Sequence, residues 1–117
     1  TSLLGIAPQE DDHTQRMRIS KMVYVELLRR GKEIYYHSGK NECDFLIKEG
    51  IKITEAIQVT WTVNKTNIQR ETSGLREAIR IHNLEQGLLL TTDTEETEIM
   101  TDNSIKIIPV WKWLLTK

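Results

Sequence analysis

The order of helix-like and strand-like segments limits the folds open to this chain. An amphipathic segment at residues 13–30 comes first, and its buried face is marked by a four-residue repeat: Ile19, Val23 and Leu27. Three strand-like segments follow at 33–37, 42–48 and 51–61, the last two joined by the turn residues Glu49-Gly50. These spacings predict a three-stranded antiparallel meander after the first helix.

The second half of the chain returns to a helix and then to buried strands. A helix is predicted over 65–83, with one stripe of residues spaced three or four apart: Ile68, Thr72, Leu75, Ile79 and His82. The apolar run 87–92 has the pattern of a strand buried on both faces. A brief edge strand is expected at 98–100, a further strand at 104–110 and a short helix at 111–115. The order predicts an α/β (α+β) domain, with a mixed central sheet flanked by helices.

Composition excludes several classes of protein. The 117 residues include 16 lysines and arginines against 17 aspartates and glutamates, and a chain of near-zero net charge is unlike proteins that coat DNA by bulk electrostatics. A single cysteine, Cys43, excludes a disulfide framework and a cysteine zinc cluster, and a buried, inert thiol is expected there. No apolar run approaches the roughly 20 residues that cross a bilayer, and no signal peptide is recognisable. A cytoplasmic protein without a membrane partner is expected.

The beginning of the chain suggests a fragment. Residues 1–12 contain Gly5, Pro8 and an acidic run without periodicity, which is linker composition. The chain begins with Thr1 rather than Met. We therefore expect a linker or disordered lead-in at 1–12, and a folded domain at 13–117 that belongs to a longer protein.

Four polar residues form the candidate site. Asp44 lies in an apolar strand segment, where a carboxylate is costly to bury unless it is paired or binds a cation. Gln58 and Thr60 share one face of the next strand by the two-residue period. Glu26 falls beside the buried face of the first helix, where pairing with an arginine is the alternative interpretation. Because carboxylates and carbonyl oxygens are the ligands of Mg²⁺, Glu26, Asp44 and Gln58 are predicted to converge as a metal site.

The chain resembles a known family at these positions. The order helix, three strands, helix, strand, with an acidic residue on the first helix, resembles the PD-(D/E)xK (restriction-endonuclease-like) nuclease superfamily. The resemblance is closer to a C-terminal domain of unknown function found in prokaryotic AAA-type P-loop ATPases. It is carried by six segments: 25–31 (VELLRRG), 34–36 (IYY), 42–47 (ECDFLI), 57–60 (IQVT), 87–91 (GLLLT) and 107–115 (IIPVWKWLL).

The resemblance implies a nuclease site that has lost two of its parts. The superfamily usually has an aspartate followed by Glu-x-Lys; here Asp44 is kept, Gln58 replaces the glutamate and Thr60 replaces the lysine. Lys48, on the Asp44 face by strand parity, is the best-placed substitute for that lysine. Mg²⁺ is therefore expected to bind weakly, and ATP would be held only by the missing N-terminal part.

Three functions follow as expectations. The first is an accessory C-terminal domain of a P-loop ATPase, with a degenerate metal site, that does not cleave and acts through protein contacts or weak nucleic-acid contacts. The second is an active Mg²⁺-dependent DNA nuclease with a displaced lysine. The third is an oligomerisation or regulatory module without a ligand. The expected partners are the protein's own N-terminal ATPase domain and, as a further candidate, DNA.

Overall fold

The predicted order of elements is confirmed. The structure, a computed structural model, describes residues 12–39, 42–61, 63–92 and 104–116. Its elements are α1 (Asp12–Arg29), β1 (Glu33–Ser38), β2 (Glu42–Glu49), β3 (Lys52–Val59), α2 (Ile68–Ile81), β4 (Gly87–Thr91), β5 (Ile105–Pro109) and α3 (Val110–Leu115). The edge strand expected at 98–100 and nearly all of the expected lead-in at 1–12 lie outside the described residues, whereas α1 already begins at Asp12.

The five strands form one mixed sheet in the order β1-β2-β3-β4-β5. The β1–β2 and β2–β3 pairs are antiparallel, as the short turns predict, and the β3–β4 and β4–β5 pairs are parallel. A parallel pair needs a crossover connection, which α2 provides between β3 and β4. The mixed sheet with helices on both faces confirms the predicted fold class and is compatible with a restriction-endonuclease-like fold.

Each face of the sheet is covered by different helices. On one face, α1 and α3 pack through a cluster that includes Val23, Leu27 and Trp113 together with Ile57 of β3. On the other face, α2 packs through Leu75 and Ala78 against a second cluster that includes Leu46, Ala56 and Leu89. The four-residue repeat that marked α1 in the sequence is thus its sheet-facing side.

The turns follow local residue chemistry. Gly31 after α1 and Gly50 in the β2–β3 hairpin have φ of 74° and 66°, a backbone conformation that favours glycine. Helix α2 starts three residues later than predicted because two asparagines form a turn there: the Asn64 side chain accepts the N–H groups of Thr66 and Asn67, and the Asn67 side chain accepts the N–H of Asn64. Such local bonds compete with helix formation.

Strand β4 lies between β3 and β5 and is buried on both faces, as predicted. Leu89 and Leu90 are completely buried. At Gly87 a β-carbon would come within 2.8 Å of the side chains of Leu75 and Ile79, so α2 packs directly on the backbone of this strand.

No helix among the described residues is long and apolar enough to cross a membrane.

Candidate functional site

Asp44 and Gln58 lie side by side where β2 and β3 separate. The last residues paired between these strands are Phe45 and Ile57, so Asp44 and Gln58 are the next residues in register. The backbone N–H of Asp44 donates to Oε1 of Gln58 at 3.0 Å, and the backbone N–H of Val59 donates to Oδ2 of Asp44 at 3.0 Å. The two side chains thus replace the backbone hydrogen bonds that end at this point, and each of them bonds the backbone of the other strand.

A β-bulge explains the direction of the Asp44 side chain. Between the pairs Tyr35–Leu46 and His37–Cys43, one residue of β1 lies opposite two residues of β2. The two-residue period is broken there, because Cys43 and Leu46, three positions apart, belong to the same core cluster. The strand parity that placed Lys48 on the Asp44 face therefore does not hold through this segment. Bulges of this kind re-aim individual side chains, and here the carboxylate reaches the backbone of β3.

The other edge of β3 keeps its backbone pairing beyond this point. Gln58 and Val59 pair with Leu89 and Leu90 of β4, and the Thr60 N–H donates to the Leu90 carbonyl at 2.9 Å. Gln58 and Thr60 are buried, at 5% and 3% exposure. As β3 follows β4 away from β2, the sheet opens at Asp44, and the side chains of Asp44 and Gln58 bond backbone groups left there.

Arg16 is a charged partner of Asp44 and was not among the predicted site residues. Its Nη2 lies 3.8 Å from Oδ2 of Asp44, and both side chains are partly exposed. Arg16 precedes Ile19 by three positions, so it continues the buried stripe of α1. That spacing is the signal that could have placed this guanidinium over the sheet.

Glu26 does not join Asp44 and Gln58, contrary to expectation. Its carboxylate accepts hydrogen bonds from Arg29 at 2.6 and 2.8 Å and from Arg30 at 2.7 Å. These guanidinium groups lower the pKa of Glu26 to about 2. Glu26 follows Arg16 by ten residues, about 15 Å along the helix, and so lies towards the other end of α1. The alternative interpretation, that Glu26 pairs with an arginine, is confirmed, and both arginines lie one helical turn further along the chain.

The Glu26 ion pairs anchor the C-terminal helix. Arg30 also donates to the carbonyl oxygens of Trp113 at 3.1 Å and Thr116 at 2.7 Å. Its guanidinium carbon lies 4.5 Å from the Trp113 ring centroid, a cation–π distance. Arg30 thus binds carbonyl oxygens at the end of α3, and the Trp113 oxygen is also bonded by the backbone N–H and the hydroxyl of Thr116. Glu26 fixes Arg30 and has a structural role.

Lys48 does not approach Asp44 either. Its Nζ lies 3.9 Å from the Glu33 carboxylate and 5.5 Å from the Tyr35 ring centroid. It is four residues from Asp44 on β2, about 13 Å along the strand. The expectation that Lys48 could replace the missing lysine rested on strand parity, which the bulge in β2 invalidates.

The residues present fit a Mg²⁺ site poorly. The described residues contain no cluster of three or more histidine, cysteine or acidic side chains that could hold a metal ion. Oδ2 of Asp44 already accepts a backbone N–H and faces Arg16, and Oε1 of Gln58 accepts the backbone N–H of Asp44. Since Mg²⁺ requires oxygen ligands in near-octahedral geometry, these engaged oxygens make a weak ligand set.

A large cleft lies at the opposite end of the sheet from Asp44. Its volume is about 1080 Å³, and it is lined by the C-terminal end of α1, residues 52–57 of β3, the start of β4 and the loop that follows α2. Neither Asp44 nor Gln58 contributes to it. We refer to it as the basic cleft, after its lysine and arginine side chains: Arg29, Arg30, Lys32, Lys52 and Lys106.

Comparison with known proteins gives one relative. No protein-family model matches the chain, and no solved structure matches it. An uncharacterized protein of Methanocaldococcus jannaschii is 35% identical to the chain over 109 residues. The match covers 84% of this chain but only 24% of that protein. The chain therefore spans about a quarter of the length of this relative, which carries a similar segment within a much longer polypeptide.

Proposed function

We propose that the protein is a non-cleaving accessory module with a restriction-endonuclease-like fold, which works through contacts with the rest of a longer protein. One observation carries this proposal. The side-chain oxygens of Asp44 and Gln58, the residues at the superfamily's acidic positions, accept backbone N–H groups across the opening between β2 and β3. Residues that would hold a metal ion in a nuclease serve here to complete the sheet.

The charges around Asp44 also argue against cleavage. Attack on a phosphodiester builds negative charge on the phosphoryl oxygens, and catalysis needs cations positioned there beforehand. Thr60 supplies no positive charge, and Lys48 faces Glu33 instead. Arg16 is a cation near Asp44, but at 3.8 Å it neutralises the carboxylate that a metal ion would need. Loss of one such stabilising group lowers the catalytic rate by a factor on the order of 10²–10³.

The longer protein is proposed to be a P-loop ATPase of the AAA type. The resemblance to the C-terminal domain of such ATPases supports this, and the relative in Methanocaldococcus jannaschii has room for further domains outside the matched quarter. In this arrangement ATP binds only to the ATPase domain, which is also the module's partner. Sequencing the complete gene tests this part: a Walker A motif upstream of the module is expected, and its absence would exclude an ATPase parent.

A cleavage assay tests the absence of nuclease activity. The protein is incubated with supercoiled plasmid and Mg²⁺ or Mn²⁺, with Asp44→Asn as the matched variant. We expect no nicking above background by either protein. Metal-dependent nicking that the unmodified protein shows and Asp44→Asn loses would overturn the proposal and establish a nuclease.

Calorimetric titration with Mn²⁺ gives a second readout that does not depend on turnover. We expect no binding tighter than millimolar, because one engaged carboxylate is a weak ligand set. Saturable binding at micromolar Mn²⁺ that disappears in Asp44→Asn would show an intact metal site, even if the plasmid is not cut.

A further inference from the structure

Helix α1 carries apolar side chains on its outer surface as well as on the side that faces the sheet. Ile19, Val23 and Leu27 belong to the core, yet five further large apolar side chains of this helix are exposed: Met17, Met22, Tyr24, Val25 and Leu28. Helix α2, by contrast, exposes Ile81 alone among its large apolar side chains. Since a surface helix usually places charged and polar residues opposite the core, the outer surface of α1 suits a protein partner better than water.

A groove between α1 and α3 gathers apolar side chains of both helices. Met22 and Val25 of α1 and Leu114 of α3 line it, and its volume is about 400 Å³. Trp111 precedes Leu114 by three residues and Leu115 by four, spacings that make side chains neighbours on a helix. Both Trp111 and Leu115 are exposed, so the apolar surface continues from the groove onto α3. We call these five side chains the α1–α3 groove.

The charges at the α1–α3 groove favour an acidic partner. The charged residues that line it are Arg18, Lys21 and Glu26, and Glu26 is already bound by Arg29 and Arg30. Lys21 is exposed and forms no ion pair with any residue that the structure describes. The rim of the groove is therefore net positive, and complementary charge across an interface is negative.

We propose that the α1–α3 groove binds an amphipathic helix, with an apolar face and acidic flanks, from the longer polypeptide outside these 117 residues. Because the groove lies between two helices and offers no strand edge, a helix fits it by packing apolar residues at spacings of three and four. Its apolar face covers Val25 and Leu115, and its carboxylates lie beside Lys21. The location of this partner in the same polypeptide rests on the proposed function. The match covers only 24% of the relative in Methanocaldococcus jannaschii, so most of such a polypeptide lies outside the module.

Designed peptides test the chemistry of the partner with the 117-residue chain. Two labelled amphipathic peptides with the length of α1, 18 residues, share one leucine face and carry either glutamate or lysine on its flanks. Fluorescence anisotropy measures their binding. We expect the glutamate peptide to bind at least about tenfold more tightly, because like charges across an interface are unfavourable. Equal affinity of the two peptides, or binding of neither, would overturn the proposal.

Matched apolar variants locate the binding surface. Val25→Asp and Leu115→Asp each place a charge in the α1–α3 groove, whereas Ile81→Asp makes the same change of net charge on α2. Val25 and Ile81 are 58% and 52% exposed, so these substitutions should leave the fold intact, which circular dichroism checks. Each groove variant should weaken binding of the glutamate peptide by on the order of tenfold or more, and Ile81→Asp should leave it nearly unchanged. Equal weakening by all three variants would contradict the proposal.

Photo-cross-linking in the complete polypeptide identifies the natural occupant. A photo-reactive phenylalanine analogue replaces Val25, and we expect a cross-link to an acidic helix of the same polypeptide outside the 117 residues. A cross-link between two copies of the module, or the absence of any cross-link, would overturn the assignment. This result is distinct from the plasmid assay: metal-dependent nicking would overturn the non-cleaving function and leave the cross-link, whereas a missing cross-link would leave the absence of cleavage unaffected.

Discussion

Replacement of Asp44 by alanine should destabilise the protein rather than affect a reaction. The Asp44 carboxylate accepts the backbone N–H of Val59 at 3.0 Å, and Val59 is completely buried. Alanine leaves that N–H without its partner. A buried donor left unsatisfied costs about 1–3 kcal/mol, so we expect the free energy of unfolding to fall by that amount. For a domain of roughly this size, each kcal/mol corresponds to about 4–8 °C in Tm.

Two matched variants separate the contribution of the hydrogen bond to the free energy of unfolding from the contribution of the Asp44 charge. Asp44→Asn keeps an oxygen that can accept the Val59 N–H but removes the negative charge, so a loss below about 1 kcal/mol is expected. Arg16→Gln removes the guanidinium at 3.8 Å from Asp44. Because this pair is partly exposed, its loss should cost at most about 1 kcal/mol.

Urea unfolding followed by circular dichroism measures these differences directly. The expected order of stability is wild type, then Asp44→Asn close to it, then Asp44→Ala clearly lower. If Asp44→Ala is as stable as the wild type, or more stable, the Val59 hydrogen bond does not hold the sheet together at this point. The proposal that Asp44 now serves the fold would then fail.

Three further predictions concern other parts of the fold. Gly87→Ala should lower the free energy of unfolding by about 1–3 kcal/mol, because its β-carbon would meet α2 side chains at 2.8 Å or less; an unchanged urea midpoint would contradict this packing. Arg29 and Arg30 lower the pKa of Glu26 from 4.5 to about 2, so its stabilisation should be complete above about pH 4.5 and be lost as the pH falls towards 2. Glu26→Gln should therefore flatten the acid side of a plot of Tm against pH, and an unaltered plot would argue against these ion pairs. Burial raises the pKa of the Cys43 thiol to about 12, so a colorimetric thiol reagent at neutral pH should react only after denaturant is added; rapid reaction of the native protein would show that the thiol is accessible.

Local residue chemistry was enough to predict the elements of the fold. The four-residue repeat of α1 and the apolar run of β4 each depend on residues close together in sequence, and the structure confirms both. Short turns imply antiparallel neighbours and a helical crossover implies a parallel pair, so the mixed sheet also followed from the order of the elements. The inert character expected of Cys43 agrees with its complete burial.

The site could be predicted only in part. Asp44 and Gln58 were expected at the same end of the hairpin that joins their strands, and the strand register places them there. The roles of Glu26 and Lys48 were inferred from which side of an element they occupy, and both inferences fail. Glu26 has closer partners in Arg29 and Arg30, one helical turn away. For Lys48, the two-residue period does not continue through the bulge in β2.

The sequence by itself therefore determined which segments form helices and strands and how neighbouring strands pair, because these depend on periodicity and on short turns. Tertiary structure decided how the candidate residues are used. The bulge beside Asp44, the departure of β3 towards β4 and the distance between the two ends of α1 arise only when the elements pack together. The basic cleft has the same origin, since its lining residues are far apart in sequence and border one cleft only because β1, β3 and β5 start at the same end of one sheet.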